Sequence, residues 1–247
     1  MRAADYEYLY SIEESYWWFV AMRRITDAII ASELPSRPLV VLDAGCGTGY
    51  NIHHFENAGH SVFAFDIAQE AISGVRKRGL QKVCRASATD IPYGTGTFDV
   101  AFSFEVMDEL SLDNAEKAFR EIHRVLKSGG FFFVRLPAFE WMRSTHDDDI
   151  QTMHRYTAAE LRDMLERAGF EVRFSSYANS LLFPVVLLKR SLKKIGIGRG
   201  TDTKPLPRGL QWMNPIFRAA LGAEARVLGA RRSLPFGLSV ICLVRKP

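Results

Sequence analysis

The sequence has only three cysteines among its 247 residues, Cys46, Cys84 and Cys242. They stand in unrelated contexts without the spacing of metal ligands, which argues against a disulfide framework and against a zinc module. Long hydrophobic runs are also missing, so no membrane-spanning helix of about 20 apolar residues is expected. Residues 1–10 carry early acidic residues and lack the apolar core of a secretory signal. We therefore expect a cytoplasmic protein.

Acidic residues are scarce in the last part of the chain. Residues 1–175 hold 19 Lys/Arg and 26 Asp/Glu, a net charge of −7, whereas residues 176–247 hold 13 Lys/Arg against only two acids, a net charge of +11. The two acids are Asp202 and Glu224. Such an asymmetry indicates a partner surface for nucleic acid, anionic lipid or a phosphorylated substrate.

The remaining composition is that of a folded protein, with 47% apolar and 24% charged residues. Short apolar runs are unbroken rather than alternating, which is typical of parallel strands covered on both faces. Helical spacing fills the gaps between them, and this alternation predicts an α/β fold with a doubly wound sheet. The predicted strands are residues 39–42, 61–67, 82–87, 98–106, 130–136, 170–177 and 237–244.

The clearest motif is a glycine-rich turn in residues 41–49, Val-Leu-Asp-Ala-Gly-Cys-Gly-Thr-Gly. Glycine allows unusual backbone dihedrals and the close approach of a ligand between a strand and a helix. A dinucleotide site usually places its third glycine later, where the helix packs beneath a pyrophosphate. S-adenosylmethionine has no pyrophosphate, and Asp43 can face its amino-acid end directly or through water. We favour this ligand, with a plain strand-turn-helix as the alternative.

Two further acids follow the next two predicted strands. Asp66 ends the second strand, where a carboxylate can accept from both ribose hydroxyls, although a helix N-cap is the alternative. Asp90 follows the third strand and can accept from an adenine amino group while Ile91 covers the ring. Without the glycine loop, Asp90 would be interpreted as a turn residue.

Taken in order, these stretches resemble the class I S-adenosylmethionine-dependent methyltransferases. The resemblance covers residues 38–175 and rests on residues 41–49, 65–67, 88–92, 98–100 and 124–130. It implies a Rossmann-like seven-stranded sheet with an antiparallel last strand, S-adenosylmethionine as methyl donor and S-adenosylhomocysteine as product. It also implies the cofactor contacts Asp43, Gly45, Cys46, Gly47, Gly49, Asp66, Ile67, Asp90, Ile91 and Phe104, the last lying along the methionine part.

One departure from the resemblance concerns the end of the fourth strand. Small-molecule relatives often have a Glu-His pair there, and this sequence has Asp108 and Glu109 instead. A histidine base at that point is therefore not expected.

The predicted domain organisation has three parts. Residues 1–36 form an N-terminal helical lid, and residues 37–177 together with 237–247 form the cofactor-binding domain. Residues 178–236 form a basic, apolar helical insert that includes a Gly/Pro/Lys linker at residues 196–209. The apolar start of the insert fits either a membrane-facing segment or a cap over an apolar acceptor pocket.

The candidate acceptor chemistry lies just after the fifth predicted strand. Methyl transfer to oxygen often needs a general base, and His146, Asp147 and His154 are the candidates in a segment that can close over the site. The alternative is that residues 154–156 anchor the following helix. A metal site built from these residues is not required by the chemistry, so no metal is expected.

The aromatic residues predict a bulky, partly apolar acceptor, such as a natural product, a quinone, a lipid or a lipid-linked sugar. The segment around the two histidines also looks like a bacterial subgroup associated with glycan or lipid-linked pathways. The alternative function is a nucleic-acid-binding protein or methyltransferase that uses the basic C-terminal region. The predicted acceptor contacts are Trp17, Trp18, Trp141, Arg155 and Tyr156.

Overall fold

The computed structural model describes residues 3–194 and 212–247. The predicted linker at residues 196–209, with Asp202, lies outside the described residues. Where the chain is described, no helix is long and apolar enough to cross a membrane. The helices are α1 Ala3–Ile12, α2 Trp17–Ile30, α3 Tyr50–Asn57, α4 Gln69–Lys77, α5 Leu112–Val125, α6 Thr145–Asp149, α7 Ala158–Arg167, α8 Phe183–Lys194 and α9 Asn214–Gly229.

The strands of the described residues form one seven-stranded sheet of order β3-β2-β1-β4-β5-β7-β6. Strand β7 is antiparallel to both of its neighbours, and the other pairings are parallel. This confirms the predicted α/β fold and its antiparallel last strand. The strands are β1 Val40–Ala44, β2 Ser61–Asp66, β3 Val83–Arg85, β4 Phe98–Phe104, β5 Leu126–Pro137, β6 Glu171–Ala178 and β7 Ser239–Arg245.

The strand order reverses between β1 and β4, because the chain moves outward from β1 through β2 and β3 before it returns to β4. Loops on either side of such a point diverge and leave a crevice beyond the carboxyl ends of the strands. The glycine loop follows β1, so the topology places it at this crevice.

Each face of the sheet is covered by its own apolar core. Helices α5 and α7 bury Phe119, Ile122 and Leu161 on one face. On the other face α2 and α9 bury Met22 and Leu228 in the same cluster as residues of α3 and α4. Helix α9 also packs along α2, so parts of the predicted lid and of the predicted insert form one layer against the sheet.

The buried carboxylate of Glu224 fixes the start of the predicted insert. Its oxygens accept hydrogen bonds from the backbone N–H groups of Asn179, Ser180 and Leu181, which follow β6. Buried backbone donors need such acceptors, because leaving one unsatisfied costs about 1–3 kcal/mol. Glu224 thereby joins α9 to the segment that leads into α8.

The region predicted as an N-terminal helical lid contains two helices, because Glu13 turns inward to buried partners and the backbone of Tyr16 is extended. One local prediction was wrong: the fifth strand begins at Leu126 rather than at residue 130, and Gly129 lies within it with a positive φ of 79°. A shift in the pairing of β4 with β5 accommodates this early start.

Candidate active site

The glycine loop leaves β1 in left-handed conformations that suit glycine. Gly45 has φ 80° and Gly47 has φ 53°. A Cβ on Gly45 would lie 2.3 Å from the Cγ2 of Val106, which no side chain can tolerate. The N–H groups of Gly45 and Cys46 both donate to the carbonyl of Phe65, at 2.9 and 3.0 Å, so the loop is held against the end of β2.

Asp66, at the end of β2, is bonded to the same loop. One carboxylate oxygen accepts from the N–H of Gly47 at 2.9 Å, and the other accepts from the N–H of Ala68 at 2.9 Å. The residue is buried but lines the cavity described below, and burial raises the pKa of its carboxyl. The bond from Ala68 lies at the start of α4, where the alternative interpretation placed Asp66 as a helix cap, although the N-cap residue itself is Ala68. The carboxylate of Asp66 remains at the cavity wall.

Asp43 lies in β1 directly behind the loop. It is fully buried, and neither carboxylate oxygen has a hydrogen-bond partner among the described residues. Burial, with the nearby charges of Asp66 and Glu13, raises the pKa of its carboxyl to about 7. A buried carboxylate without a partner is unfavourable, so this position suits a cationic group or a water that bridges to one.

Helix α1 is fastened to the glycine loop by a buried ion pair. Arg78 donates to Glu13 at 2.8 Å and, through Nε, to the carbonyl of Thr48 at 3.0 Å. The Thr48 hydroxyl also donates to Glu13. The ring of Tyr10, on α1, lies 4.1 Å from the Arg78 guanidinium, so this arginine connects α1 to the loop.

The chain that follows β3 supplies another part of the wall. Ala86, Ser87 and Ala88 line the cavity. Asp90 is exposed and Ile91 is buried, and neither belongs to the cavity wall in this structure. The N–H of Ile91 donates to Glu121 at 3.0 Å, which holds the turn on α5.

One continuous cavity of about 540 Å³ joins the loop to an aromatic wall. Near the loop it is lined by Gly45, Cys46, Gly47, Asp66 and Ile67. It extends from there to residues of α2 and α8, which are Trp17, Trp18, Leu182 and Val186. Volumes of this size accommodate organic ligands, and the mixed lining suits a polar cofactor beside a partly apolar second molecule.

The buried side chain of Arg135 also lines the cavity. The guanidinium of Arg135, on β5, lies 5.2 Å from the ring of Trp18 and 4.9 Å from the ring of Phe104. Its Nε donates to Glu105 at 3.3 Å. Cation–π contacts of this kind keep aromatic side chains in place at a desolvated site.

Asp108 lies just after β4 and also lines the cavity. Its side chain is 1% exposed, one oxygen accepts from the Thr152 hydroxyl at 3.2 Å, and the other has no partner among residues 3–194 and 212–247. Burial, followed by the charges of Glu105 and Glu109, raises the pKa of this carboxyl to about 8. A proton can therefore be taken up or released here near neutral pH.

The predicted His-Asp segment folds across the end of β5. Arg155 donates to Asp147 at 2.7 Å and to the carbonyl of Ala138 at 2.7 Å, and both charged residues are buried and line the cavity. His154 lies 2.7 Å from Glu160, the acid of the capping box of α7.

Comparison with known proteins shows what the chain is similar to. The methyltransferase domain family matches residues 42–134 of the chain. A probable S-adenosylmethionine-dependent methyltransferase of Mycolicibacterium smegmatis is 31% identical over 163 residues, which is 65% of this chain and 61% of that protein. In sequence and in fold the chain is similar to the class I S-adenosylmethionine-dependent methyltransferases. It spans about three fifths of the length of this relative, so the alignment does not extend to the whole of that protein.

Two other relatives of this chain have named acceptors. A malonyl-[acyl-carrier protein] O-methyltransferase of Enterobacter lignolyticus is 28% identical over 70% of this chain and 71% of its own length. A tRNA (carboxymethyluridine(34)-5-O)-methyltransferase of Arabidopsis thaliana is 36% identical over 58% of this chain, but over only 33% of its own length. The two names describe different classes of acceptor, so kinship alone does not define the substrate.

A solved structure shows the same fold. The complex of the Haloferax volcanii Trm112 methyltransferase activator with a methyltransferase contains a chain that matches 99% of this protein and 94% of its own length, with a TM-score of 0.63 and 19% identity. At this identity the likeness concerns the fold, which is the doubly wound sheet described above.

The structure brings most of the predicted cofactor contacts together around the cavity. Gly45, Cys46, Gly47, Asp66, Ile67 and Phe104 line it. Asp43 and Gly49 stand behind the loop, while Asp90 and Ile91 lie beside the wall rather than in it. Gly49 fits its place because a Cβ there would lie 2.8 Å from the Cγ2 of Val75.

The structure places some of the predicted acceptor and base residues in the cavity wall and others outside it. Trp17, Trp18, Asp147 and Arg155 line the cavity. Trp141 is 57% exposed and lies outside the wall, and Tyr156 is fully buried with its hydroxyl donating to the carbonyl of Met107 at 3.1 Å. Neither of these two side chains faces the cavity.

Of the two histidines, His154 does not line the cavity. It pairs with Glu160, which favours the interpretation that residues 154–156 anchor α7. His146 lies in α6, and its side chain is outside the described residues. Within the described part of the chain, no group of His, Cys, Asp or Glu is arranged to hold a metal ion.

Sequence reasoning missed three polar residues of this site. Glu13, Arg135 and Asp108 all line the cavity. Arg135 had a usable signal, since it is a lone charge within the apolar strand Phe-Phe-Phe-Val-Arg-Leu-Pro. Asp108 was noticed only as a departure from the Glu-His pair. Glu13 had no signal, because its partners Thr48 and Arg78 are distant in sequence.

The raised pKa of Asp43 leads to an expected pH dependence of cofactor binding. The carboxyl loses its charge as the pH falls through about 7, and the charged form attracts the cationic amino group of S-adenosylmethionine. The affinity should therefore fall between about pH 7.5 and about pH 6, by up to about tenfold per unit below the pKa. Calorimetric titration with S-adenosylmethionine across this range measures the effect.

Two variants make this pH test specific. Asp43→Asn should bind weakly at every pH in the range and lose the pH dependence, because no proton can bind there. Asp90→Asn, an exposed position near the site, should keep it. A wild-type affinity that does not change from about pH 7.5 to about pH 6 would contradict the role given to Asp43.

Proposed function

We propose that this protein transfers the methyl group of S-adenosylmethionine to an oxygen atom of a bulky, partly apolar small molecule. The observation that carries the proposal is the continuous cavity, which leads from the glycine loop to Trp17 and Trp18. A donor held at Gly47 and an acceptor held at the tryptophans would share one water-poor space. Positioning of this kind is the main task of an enzyme whose donor is already activated.

The residues present fit the proposed cofactor. Left-handed glycines at the loop leave room for close approach, Asp66 offers a carboxylate at the cavity wall, and Asp43 holds a buried carboxyl without a partner. When bound, S-adenosylmethionine supplies a sulfonium-activated methyl group. In the proposed roles, Asp66 binds the ribose hydroxyls and Asp43 faces the amino-acid end.

An oxygen acceptor must lose its proton during the reaction, and the cavity supplies a candidate base. Asp108 has an unpartnered oxygen at the wall and a pKa raised to about 8, so its ionised form is a stronger base than an ordinary carboxylate. We place this role on Asp108 ahead of His154, which is paired with Glu160. His146 and Asp147 stay predictions, and Asp147 is held by Arg155.

Methylation of oxygen is supported by the malonyl-[acyl-carrier protein] O-methyltransferase relative, which the chain matches over most of its length. The apolar side chains of Leu182 and Val186 in the cavity wall favour an acceptor with an apolar part. The predicted three-part organisation and a cytoplasmic location belong to the same proposal.

A second candidate function is methylation of RNA. It is favoured by the tRNA methyltransferase relative and by the net charge of +11 in residues 176–247. The first proposal has the stronger support, because Trp17, Trp18, Leu182 and Val186 supply aromatic and aliphatic surface on the acceptor side of the cavity.

Methyl-labelled S-adenosylmethionine distinguishes the two candidates. The protein is incubated either with a panel of carboxylic, phenolic and hydroxylated acceptors that carry apolar groups, or with bulk tRNA, at physiological salt. We expect label in extracted small molecules, with formation of S-adenosylhomocysteine, and none in tRNA. Label in tRNA alone would contradict the first proposal.

The proposed base is tested in the same assay. The Asp108→Asn variant should lower methyl transfer to the small-molecule acceptor by about 100-fold or more.

A further inference from the structure

A patch of exposed apolar side chains borders the acceptor side of the cavity. Trp141, Leu181, Val185, Leu188 and Phe236 are 57%, 55%, 51%, 61% and 44% exposed, and we call them the apolar rim. Large apolar side chains scattered singly on a surface are ordinary, whereas a contiguous group marks a contact surface.

Ring contacts show that the apolar rim is continuous. Phe183, the first residue of α8, packs against Trp141 at 5.9 Å and against Phe236 at 5.4 Å between ring centroids. Leu181, Val185 and Leu188 follow at spacings of four and three residues, so they share one side of the helix and the turn that precedes it. Three separate segments of the chain therefore meet at one surface.

The other side of α8 faces the cavity. Leu182 and Val186 line it, and they alternate in sequence with the exposed Leu181 and Val185. One helix thus separates the acceptor side of the cavity from the apolar rim. A molecule with an apolar tail could pass from this surface to the cavity without crossing a charged barrier on α8.

Basic residues continue the same helix. Lys189, Arg190, Lys193 and Lys194 fill its second half. The two acids of residues 176–247 do not offset them at the described surface, because Glu224 is buried and Asp202 lies outside the described residues. An apolar segment that leads directly into a cationic one matches the interface of an anionic lipid bilayer.

We propose that the apolar rim, with the basic half of α8, docks the protein on an anionic membrane surface and presents the cavity to a lipid-borne acceptor. This rests on the proposed methyl transfer and adds the source of the acceptor. A nucleic acid would pair with the basic residues, but it would leave Leu181, Val185 and Leu188 without an apolar partner.

The test measures sedimentation of the intact protein with vesicles at physiological salt. Vesicles of phosphatidylcholine alone are compared with an equal mixture of phosphatidylcholine and phosphatidylglycerol, and bulk tRNA serves as a competitor. We expect binding to the mixed vesicles that is at least about tenfold stronger than to phosphatidylcholine and that tRNA does not abolish. Equal or absent binding to the two vesicle types, or complete displacement by tRNA, would overturn the proposal.

Two pairs of matched variants test each part of the surface. Leu181→Glu should weaken vesicle binding by about tenfold, whereas Leu112→Glu, an exposed leucine on α5, should not. The double reversal of Lys189 and Arg190 to Glu should weaken it on the order of thirtyfold or more. The same reversal of Lys117 and Arg120 on α5 should have little effect.

Cofactor binding separates failure of the docking proposal from failure of the proposed function. The two leucine variants and the reversal on α5 should bind S-adenosylmethionine as the wild-type protein does, because Leu181, Leu112, Lys117 and Arg120 do not line the cavity. We expect the same of the reversal at Lys189 and Arg190. Loss of vesicle binding with intact cofactor binding supports the docking surface. A Leu181→Glu variant that binds vesicles normally would contradict the docking proposal, whatever its affinity for the cofactor.

Discussion

Replacing Gly47 by arginine should abolish binding of S-adenosylmethionine while leaving the protein folded. Gly47 lines the cavity in a left-handed conformation, and the nearest atom to a Cβ built there is the Cδ2 of Leu9 at 3.9 Å. The Cβ of an arginine therefore fits here, and the rest of its side chain should extend into the space that we assign to the cofactor. Calorimetry should show a loss of affinity of at least about 100-fold, since steric exclusion leaves no alternative pose of similar energy.

Gly59→Arg is the matched control for this variant. Gly59 also has a left-handed backbone, with φ 89°, and a Cβ there would have no neighbour within 4 Å. Both substitutions impose a backbone cost of about 1–3 kcal/mol, but only the one at Gly47 fills the cavity. If Gly47→Arg kept its affinity for S-adenosylmethionine, the cofactor would have to bind elsewhere.

Replacing Asp66 by alanine should have the second largest effect on cofactor binding. The change removes the proposed ribose acceptor and deprives the N–H groups of Gly47 and Ala68 of their carboxylate partner. Hydrogen bonds to a charged group contribute about 1.5–3 kcal/mol each, so the affinity should fall by about 100-fold or more. Asp66→Asn keeps one acceptor oxygen and should lose about tenfold.

The comparison for this prediction is Asp90→Ala. Asp90 is exposed and stands beside the cavity wall, so its removal should lower the affinity by less than about tenfold. An equal loss in Asp66→Ala and Asp90→Ala would contradict the different positions that the structure gives them. Thermal unfolding of each variant shows whether the fold is retained.

The fold was predictable because its determinants are local in sequence. Apolar runs of strand length alternate with helical spacing, and the capping box at Thr157 and Glu160 marks the start of α7 as predicted. The break after α1 was not predictable, because Glu13 is turned inward by Thr48 and Arg78, which only the folded chain brings near. Local patterns do not encode such distant partners.

The cofactor side of the candidate site was predictable from the sequence, whereas the acceptor side was not. The glycine loop and Asp66 follow consecutive strands, so parallel pairing alone brings them together, as the register of β1 with β2 shows. The acceptor side depends on how α2, α8 and the segment after β5 pack, and the structure places the predicted contacts Trp141 and Tyr156 outside the cavity wall. Side-chain direction on an irregular segment is decided by tertiary packing rather than by residue type.

The position of β7 has a consequence for biosynthesis. This strand lies between β5 and β6 and pairs with both, although it is the last of the strands to be translated. Until residues 239–245 emerge from the ribosome, β6 has no neighbour and β5 presents a row of unpaired backbone groups. Of the seven described strands, β6 and β7 must therefore wait for residues 239–245 before they join the other five, and until then β5 and β6 expose strand edges to aggregation.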